Sequence, residues 1–119
     1  MAKVVDIYAL PVPARLLTEY RAMSRAAGRI FRKHGVLDYR EFTAPQPAMK
    51  GVRPFTAGVR LRKGEILVMA VVTYPSATAR KRINAAIEAD PKLAAMSTKP
   101  MPFDMKRMSV SSFETIVEV

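Results

Sequence analysis

The run Glu65–Tyr74 restricts the possible folds of this chain more than any other stretch. It is the longest apolar run, several of its residues are β-branched, and Pro75 follows it directly. Apolar residues occupy odd and even positions alike, so a strand formed here should be buried on both faces. Helices of the same chain can cover one face. The run therefore predicts that a second copy of the chain covers the other face, in a homodimer assembled through the sheet.

The length of 119 residues predicts a single domain over residues 1–119. Because the sequence has no cysteine, disulfides, thiolate metal sites and cysteine nucleophiles are excluded. With one histidine and no glycine-rich phosphate loop, we expect no cofactor and no metal site. The sequence has neither a signal-like start nor an apolar run of membrane-spanning length, so we expect a cytoplasmic protein without a membrane partner.

The net charge of +10 is the unusual feature of the composition. Such a surface attracts anions of many kinds. A basic row, spaced four residues apart, falls on the exposed side of the first predicted helix: Arg21, Arg25, Arg29 and Lys33. The basic motif of a known nucleic-acid-binding module does not accompany it. We therefore expect no specific nucleic-acid partner and only weak, salt-sensitive association.

Alternation and helical spacing predict four strands, at residues 3–10, 36–43, 65–74 and 109–119, and two main helices, at 13–33 and 76–89. Pro11 and Pro13 are expected to end the first strand, and Ser76 to cap the second helix. Residues 56–62 are expected to be extended and to enter the third strand through a tight hairpin at Lys63 and Gly64. The order strand, helix, strand, strand, helix, strand predicts an α+β, ferredoxin-like fold, with both helices on one face of an antiparallel sheet.

Three stretches carry a family resemblance. They are residues 11–13 (Pro-Val-Pro) with 20–21 (Tyr-Arg) and 27–28 (Ala-Gly), residues 34–41 (His-Gly-Val-Leu-Asp-Tyr-Arg-Glu), and residues 90–91 (Asp-Pro) with 101–104 (Met-Pro-Phe-Asp) and 106–108 (Lys-Arg-Met). Over nearly its whole length the chain resembles the YbaA-like bacterial proteins, a family of unknown function. The resemblance implies a dimeric α/β-barrel, in which the sheets of two copies face each other. It implies no activity. The wider superfamily includes cofactor-free monooxygenases, haem-dependent peroxidases and small-metabolite enzymes, but this analogy is at the level of the fold.

The chain departs from the family pattern at several positions in its last 15 residues. Met105 stands where the family tends to carry glycine, and Ser111 and Ser112 replace a glycine pair. Added side chains at these positions would narrow any space that the glycines leave open.

Candidate site residues fall into three groups. His34 is either a lone general base or a helix-terminal residue beside the Gly35 cap, and we favour the second interpretation. Asp38 and Glu41 have opposite strand parity, so they should point to opposite faces and not share a site. In the third group, Asp104, Lys106 and Arg107 could bind an anion, but we favour a structural role. Asp104 and Arg107 are expected to hold their loop in place through bonds to each other or to nearby main chain.

A pocket between the sheet and the helices is expected to be lined by Tyr8, Tyr39 and methionines. The candidate ligand-binding residues are Tyr8, Tyr39, Met105 and Lys106. The main hypothesis is a homodimer that binds a small apolar or anionic metabolite there. The alternatives are a structural or interaction module without a ligand and a cofactor-free, monooxygenase-like enzyme. The sequence does not decide whether the protein is an enzyme.

Overall fold

The computed structural model describes residues 2–119, so Met1 lies outside it. Four strands form one sheet: β1 (Val4–Pro13), β2 (Asp38–Thr43), β3 (Glu65–Tyr74) and β4 (Ser109–Glu114). The helices are α1 (Leu17–Lys33), α2 (Ala77–Glu88) and the short α3 (Pro91–Met96). The sheet order is β2-β3-β1-β4, and each neighbouring pair is antiparallel. The predicted α+β, ferredoxin-like arrangement is confirmed.

The helices cover one face of the sheet, which we call the helix face. Residues that pair across β1 and β3 share a face, and these pairs include Val4 with Tyr74 and Leu10 with Val68. One core cluster joins the helix face to α2: Val4, Val36, Val72, Tyr74, Ile83 and Ile87. A second joins it to α1: Leu10, Val12, Tyr20 and Val68. The two clusters hold both main helices against the same side of the sheet.

The opposite side of the sheet, which we call the outer face, is less completely covered. On β3 the helix-face positions from Val68 to Tyr74 are buried, whereas the alternate positions Met69, Val71 and Thr73 are half-buried. Phe42 and Phe113 on the flanking strands leave 55% and 49% of their surface exposed. Within one chain the outer-face positions from Met69 to Thr73 are thus only partly buried, although Leu67 on the same face is buried.

Several local predictions were wrong. The last strand was expected to continue to Val119, but β4 ends at Glu114. Pro11 and Pro13 do not end the first strand, which continues to Pro13. Because β4 pairs with β1 only from Val4 to Ala9, the last part of β1 has a neighbour on one side only, and a missing N–H is tolerated there. Residues 56–62 are not a strand: a 3₁₀ turn, Phe55–Gly58, occupies part of this segment. A tight turn does form at Gly64, whose φ is +80°, but it leads into β3 without a preceding strand.

The helix ends are formed largely as predicted. Ser76 caps α2, and its hydroxyl accepts a hydrogen bond from the Ala79 N–H at 3.1 Å. The first helix begins later than expected, because a 3₁₀ turn, Ala14–Leu16, precedes α1. None of the helices within residues 2–119 is long and apolar enough to span a membrane.

An ion pair lies inside the helix face. Asp6 is 2% exposed and receives two hydrogen bonds from Arg80 on α2, at 2.8 Å from Nε and 2.9 Å from Nη2. The Arg80 guanidinium also lies 5.7 Å from the centre of the Tyr74 ring, in a cation–π contact. This pair links the start of β1 to α2 and stands between the two apolar clusters.

Candidate functional site

A small cavity lies between α1 and the helix face of the sheet. Its volume is about 130 Å³, similar to an engineered cavity of about 150 Å³ that accepts benzene. Its apolar walls include Leu10, Met23, Ala70, Val72, Phe103 and Met108. The space therefore suits one apolar ring, and its polar groups are concentrated on one side.

The polar side of the cavity is a hydrogen-bonded group centred on a carboxylate. Tyr20 donates to Oε1 of Glu41, and Tyr39 donates to Oε2 at 2.9 Å. Because the Tyr39 proton is committed to Glu41, the 3.1 Å contact between Ser24 and Tyr39 is a hydrogen bond donated by Ser24. We call these four residues the Glu41 cluster.

The residues of the Glu41 cluster come together because their spacing on α1 and on β2 places each set on one face of its element. Tyr20, Ser24 and Gly28 are four residues apart on α1, so they form one row that faces the sheet. Tyr39 and Glu41 are two residues apart on β2 and point to the same face. Gly28 is needed at the contact, because a Cβ atom there would lie only 2.8 Å from Cδ1 of Tyr39.

The two tyrosines of the cluster remain hydrogen-bond donors at neutral pH. Burial raises the pKa of Tyr20 and of Tyr39 well above the usual value, and the nearby Glu41 carboxylate raises both further. Both phenols therefore keep their protons and hold the Glu41 side chain in place.

Tyr8 offers a free hydroxyl to the same cavity. It lines the cavity, and its oxygen forms no hydrogen bond with any other residue that the structure describes. Burial, followed by the negative charge of Asp6, raises the pKa of Tyr8, so the hydroxyl stays protonated. Every fully buried side-chain N or O atom within residues 2–119 has a hydrogen-bond partner. Because the Tyr8 oxygen has none, it is not fully buried. It is available to a molecule in the cavity.

A wider, basic groove of about 500 Å³ lies on the other side of the Glu41 cluster. All four residues of the cluster line both spaces. The groove is also lined by four arginines of α1, namely Arg21, Arg25, Arg29 and Arg32. We call this space the arginine groove. The Glu41 cluster is therefore a shared wall between an apolar cavity and a cationic groove.

Two of the predicted ligand-binding residues lie at this cavity and two do not. Tyr8 and Tyr39 line it, and the methionines in its wall are Met23 and Met108. Met105 and Lys106 instead lie in an exposed 3₁₀ turn, Met105–Arg107, outside the cavity wall. The sequence could not show this, because the position of this turn relative to the cavity depends on the tertiary fold.

Asp104 and Arg107 bond to other groups near their loop, including main chain, and not to each other. Asp104 accepts a hydrogen bond from the Lys106 N–H at 3.0 Å. Arg107 binds both carboxylate oxygens of Glu65, at 2.5 and 2.9 Å, and the carbonyl of Arg60 at 2.8 Å. The bonds from Arg107 lower the pKa of the Glu65 carboxyl to about 2. Arg107 thus ties the loop to the start of β3, and the possibility that these residues catalyse a reaction stays a prediction.

His34 lies at the end of α1 beside a second carboxylate. Its Nε2 is 2.6 Å from Oδ2 of Asp90, a buried residue that also caps α3 through the Lys92 N–H. The bond from His34 is the main cause that lowers the pKa of Asp90 to about 2. His34 does not line the cavity, so its position agrees with a link between α1 and α3. A catalytic role for His34 remains a hypothesis.

Asp38 and Glu41 lie on opposite faces, as their parity predicts, since they pair with Thr73 and Ala70 respectively. The role of Glu41 was not predicted from the sequence, because its partners Tyr20 and Ser24 come from α1. The row Tyr20, Ser24 and Gly28 was the available signal: it places a hydroxyl and a glycine within an otherwise apolar stripe. Over residues 2–119, no group of three or more His, Asp or Glu side chains is arranged to hold a metal ion.

A four-stranded antiparallel sheet with helices on one face, and a cavity between them, defines a ferredoxin-like α+β protein. Solved structures with this fold include a dimeric ferredoxin-like protein from an uncultured marine organism, with a TM-score of 0.56, 12% identity and full coverage of both chains. SnoaB, a cofactor-independent oxygenase from Streptomyces nogalater, superimposes with a TM-score of 0.57 and 12% identity, over 100% of this chain and 98% of its own. At such identities the likeness establishes the fold alone.

The family follows from the sequence. Residues 3–105 match the model of the family described as "Protein of unknown function (DUF1428)", and the chain belongs to this family. The "Uncharacterized protein YbaA" of Escherichia coli strain K12 and that of Shigella flexneri are each 32% identical over 116 residues, which is 98% of both chains. The resemblance to the YbaA-like proteins is confirmed.

Proposed function

We propose that this protein binds a small metabolite with one apolar ring in the cavity between α1 and the sheet. The observation that supports the proposal is the combination of a ring-sized apolar space with a free hydroxyl, that of Tyr8, and the Glu41 carboxylate. A polar substituent on the ring would face these two groups. Binding sites for small molecules commonly have this composition, with apolar walls and a few polar groups that fix orientation.

The free energy of burying a ring indicates how tightly such a cavity can bind a ligand without further contacts. A ring that buries about 150 Å² gains roughly 4 kcal/mol at 25 cal/mol per Å². This free energy corresponds to a Kd near 1 mM, before the costs of immobilising the ligand are counted. A simple ring compound should therefore bind weakly, and the natural ligand needs additional polar contacts.

Phenol is expected to bind saturably with a Kd on the order of millimolar, and Tyr8→Phe should weaken it about fivefold or more by removing one hydrogen bond. Toluene, which cannot use that bond, should bind the parent and the variant alike. Chemical-shift titration of the ¹⁵N-labelled protein measures both ligands and locates the binding site.

Tyr74→Phe provides the matched control, because the Tyr74 hydroxyl bonds to Asn84 and does not line the cavity. It should leave the phenol affinity unchanged. A second variant, Met23→Trp, should fill the cavity and prevent both ligands from binding. If neither compound saturates, or if Tyr74→Phe weakens phenol as much as Tyr8→Phe does, the chain is better described as a structural or interaction module.

A cofactor-free oxygenase is the second candidate. It has in its favour the description of SnoaB and a carboxylate that faces the cavity, where it could accept a proton from a bound phenolic ligand. Oxygen consumption in the presence of a ligand that saturates the cavity separates turnover from binding. Consumption that Glu41→Gln abolishes would support the enzyme, and none with any bound ligand would exclude it.

We also propose a homodimer that buries the outer face of the sheet. An apolar groove of about 370 Å³ lies there, and Phe55, Met69 and Phe113 in its walls are still partly exposed. Full burial of an exposed apolar side chain contributes about 1.5–3 kcal/mol, and each of these side chains gains in proportion to its exposed surface. Several of them together outweigh the repulsion between two screened basic surfaces. The marine ferredoxin-like protein is described as dimeric, in agreement with this proposal.

Light scattering after size exclusion, at micromolar concentration, should return about twice the chain mass of 13.2 kDa. Met69→Arg places a charge in the middle of the outer face and should reduce the mass to that of a single chain. Met101→Arg makes the same change on an exposed loop and should leave the dimer intact. A parent mass near 13.2 kDa would contradict the proposal.

A further inference from the structure

We propose that the arginine groove binds the phosphate-bearing end of the ligand whose ring occupies the cavity. The ligand class is then a ring compound that carries a phosphate or diphosphate ester. This inference rests on the proposed function for the position of the ring. The anion site itself depends on the residues of the groove alone.

The charges in the groove are not neutralised by the protein. Arg21, Arg25 and Arg29 form no ion pair with any carboxylate within residues 2–119, whereas Arg80 and Arg107 elsewhere do. Arg32 donates to the carbonyl of Leu37. The acidic residue in the groove wall is Glu41, and both of its oxygens already accept hydrogen bonds from tyrosines. Four guanidinium groups therefore border a space that contains one shielded carboxylate.

The spacing suits a polyanion. Residues four apart on a helix are separated by about 6 Å along its axis, so Arg21, Arg25 and Arg29 span roughly 12 Å. Like charges at this spacing destabilise a helix, and a bound anion would remove this cost. Guanidinium groups bind phosphate oxygens in pairs and are weakly hydrated, so arginine suits this task better than lysine.

The groove also differs from an ordinary solvated helix surface. Gly28 has no side chain, so α1 lies close against Tyr39, and the arginines flank a concave space rather than a convex one. Cationic side chains around a concave surface concentrate the positive potential within it. The Glu41 cluster lines both the cavity and the groove, so the two spaces adjoin, and a ligand that fills both would have to pass the Glu41 side chain.

Inorganic pyrophosphate is the probe for the groove. Calorimetry at about 150 mM salt should show saturable binding. Arg25→Gln/Arg29→Gln should weaken it about tenfold or more, because it removes two exposed cations that bind the anion. Lys81→Gln/Arg82→Gln removes the same charge from exposed positions on α2 and should change the affinity less than twofold. Equal weakening by both pairs, or no saturation, would overturn the anion site.

Phenyl phosphate tests whether the groove and the cavity serve one ligand. It should bind at least tenfold more tightly than either phenol or inorganic phosphate, and both Met23→Trp and Arg25→Gln/Arg29→Gln should remove this gain. If pyrophosphate binds but phenyl phosphate shows no gain and phenol does not bind, both the shared ligand and the proposed cavity function are wrong. If phenol binds but neither phosphate compound does, the groove proposal alone fails. Single-stranded RNA that displaces pyrophosphate at equal phosphate concentration, and binds far more tightly than phenyl phosphate, would also overturn it.

Discussion

Arg80→Met is expected to lower the free energy of unfolding by about 3–5 kcal/mol, because it leaves the Asp6 carboxylate buried without a partner. Asp6 is 2% exposed, and both of its oxygens receive hydrogen bonds from Arg80. The cation–π contact with Tyr74 is lost as well. Urea unfolding followed by circular dichroism measures the change.

The double variant Asp6→Val/Arg80→Met distinguishes a buried charge from lost packing. It removes both charges and keeps apolar side chains on a surface that already contains Val4 and Val72. It should therefore be clearly more stable than Arg80→Met alone and about as stable as the parent. Arg82→Met, at an exposed position on the same helix, should change stability by no more than about 0.5 kcal/mol. A loss below about 1 kcal/mol for Arg80→Met would mean that water reaches Asp6 in solution.

Gly28→Ala is expected to destabilise the protein by about 1–3 kcal/mol, although glycine to alanine inside a helix normally stabilises by about 0.5–1 kcal/mol. The new Cβ would lie 2.8 Å from Cδ1 and 2.9 Å from Cε1 of the Tyr39 ring. Tyr39 cannot move away without breaking its hydrogen bonds to Glu41 and Ser24. Thermal unfolding gives the stability, and phenol titration gives the effect on the cavity.

Gly58→Ala is the control for this substitution. A Cβ atom added at Gly58 would meet no other atom within 4 Å, and this residue needs no positive φ, so alanine should be neutral there. The variant Gly28→Ala/Tyr39→Leu, which removes the ring, should recover part of the lost stability. If Gly28→Ala stabilises the protein as an ordinary helix position would, α1 and β2 are further apart in solution and the Glu41 cluster is not closed.

The elements that could be predicted from the sequence are those whose causes are local. The apolar run of β3, the stripe on α1 and the Ser76 cap depend on residues within one or two turns of each other. The end of β1 could not be predicted in the same way. Whether Pro11 can stay in a strand depends on how far β4 extends beside it, and β4 lies about a hundred positions later in the chain.

The candidate site was predicted only in part for the same reason. Tyr8 and Tyr39 were expected to line a space between the sheet and the helices, and they do line the cavity. The partners of Glu41, Asp6 and Arg107 come from elements that are far apart in sequence. Which carboxylate faces which cation depends on the topology and the register, and neither can be obtained from the spacing of the residues themselves.

The shared wall has a thermodynamic consequence. Because the same four side chains line the cavity and the arginine groove, a molecule in one space changes the surroundings of a molecule in the other. The two binding equilibria are then linked, and linkage is reciprocal: if pyrophosphate changes the affinity for phenol by some factor, phenol changes the affinity for pyrophosphate by the same factor. Such couplings are typically about 5- to 150-fold. The measured affinity for phenol would thus reveal whether pyrophosphate occupies the groove, and the affinity for pyrophosphate would reveal whether phenol occupies the cavity.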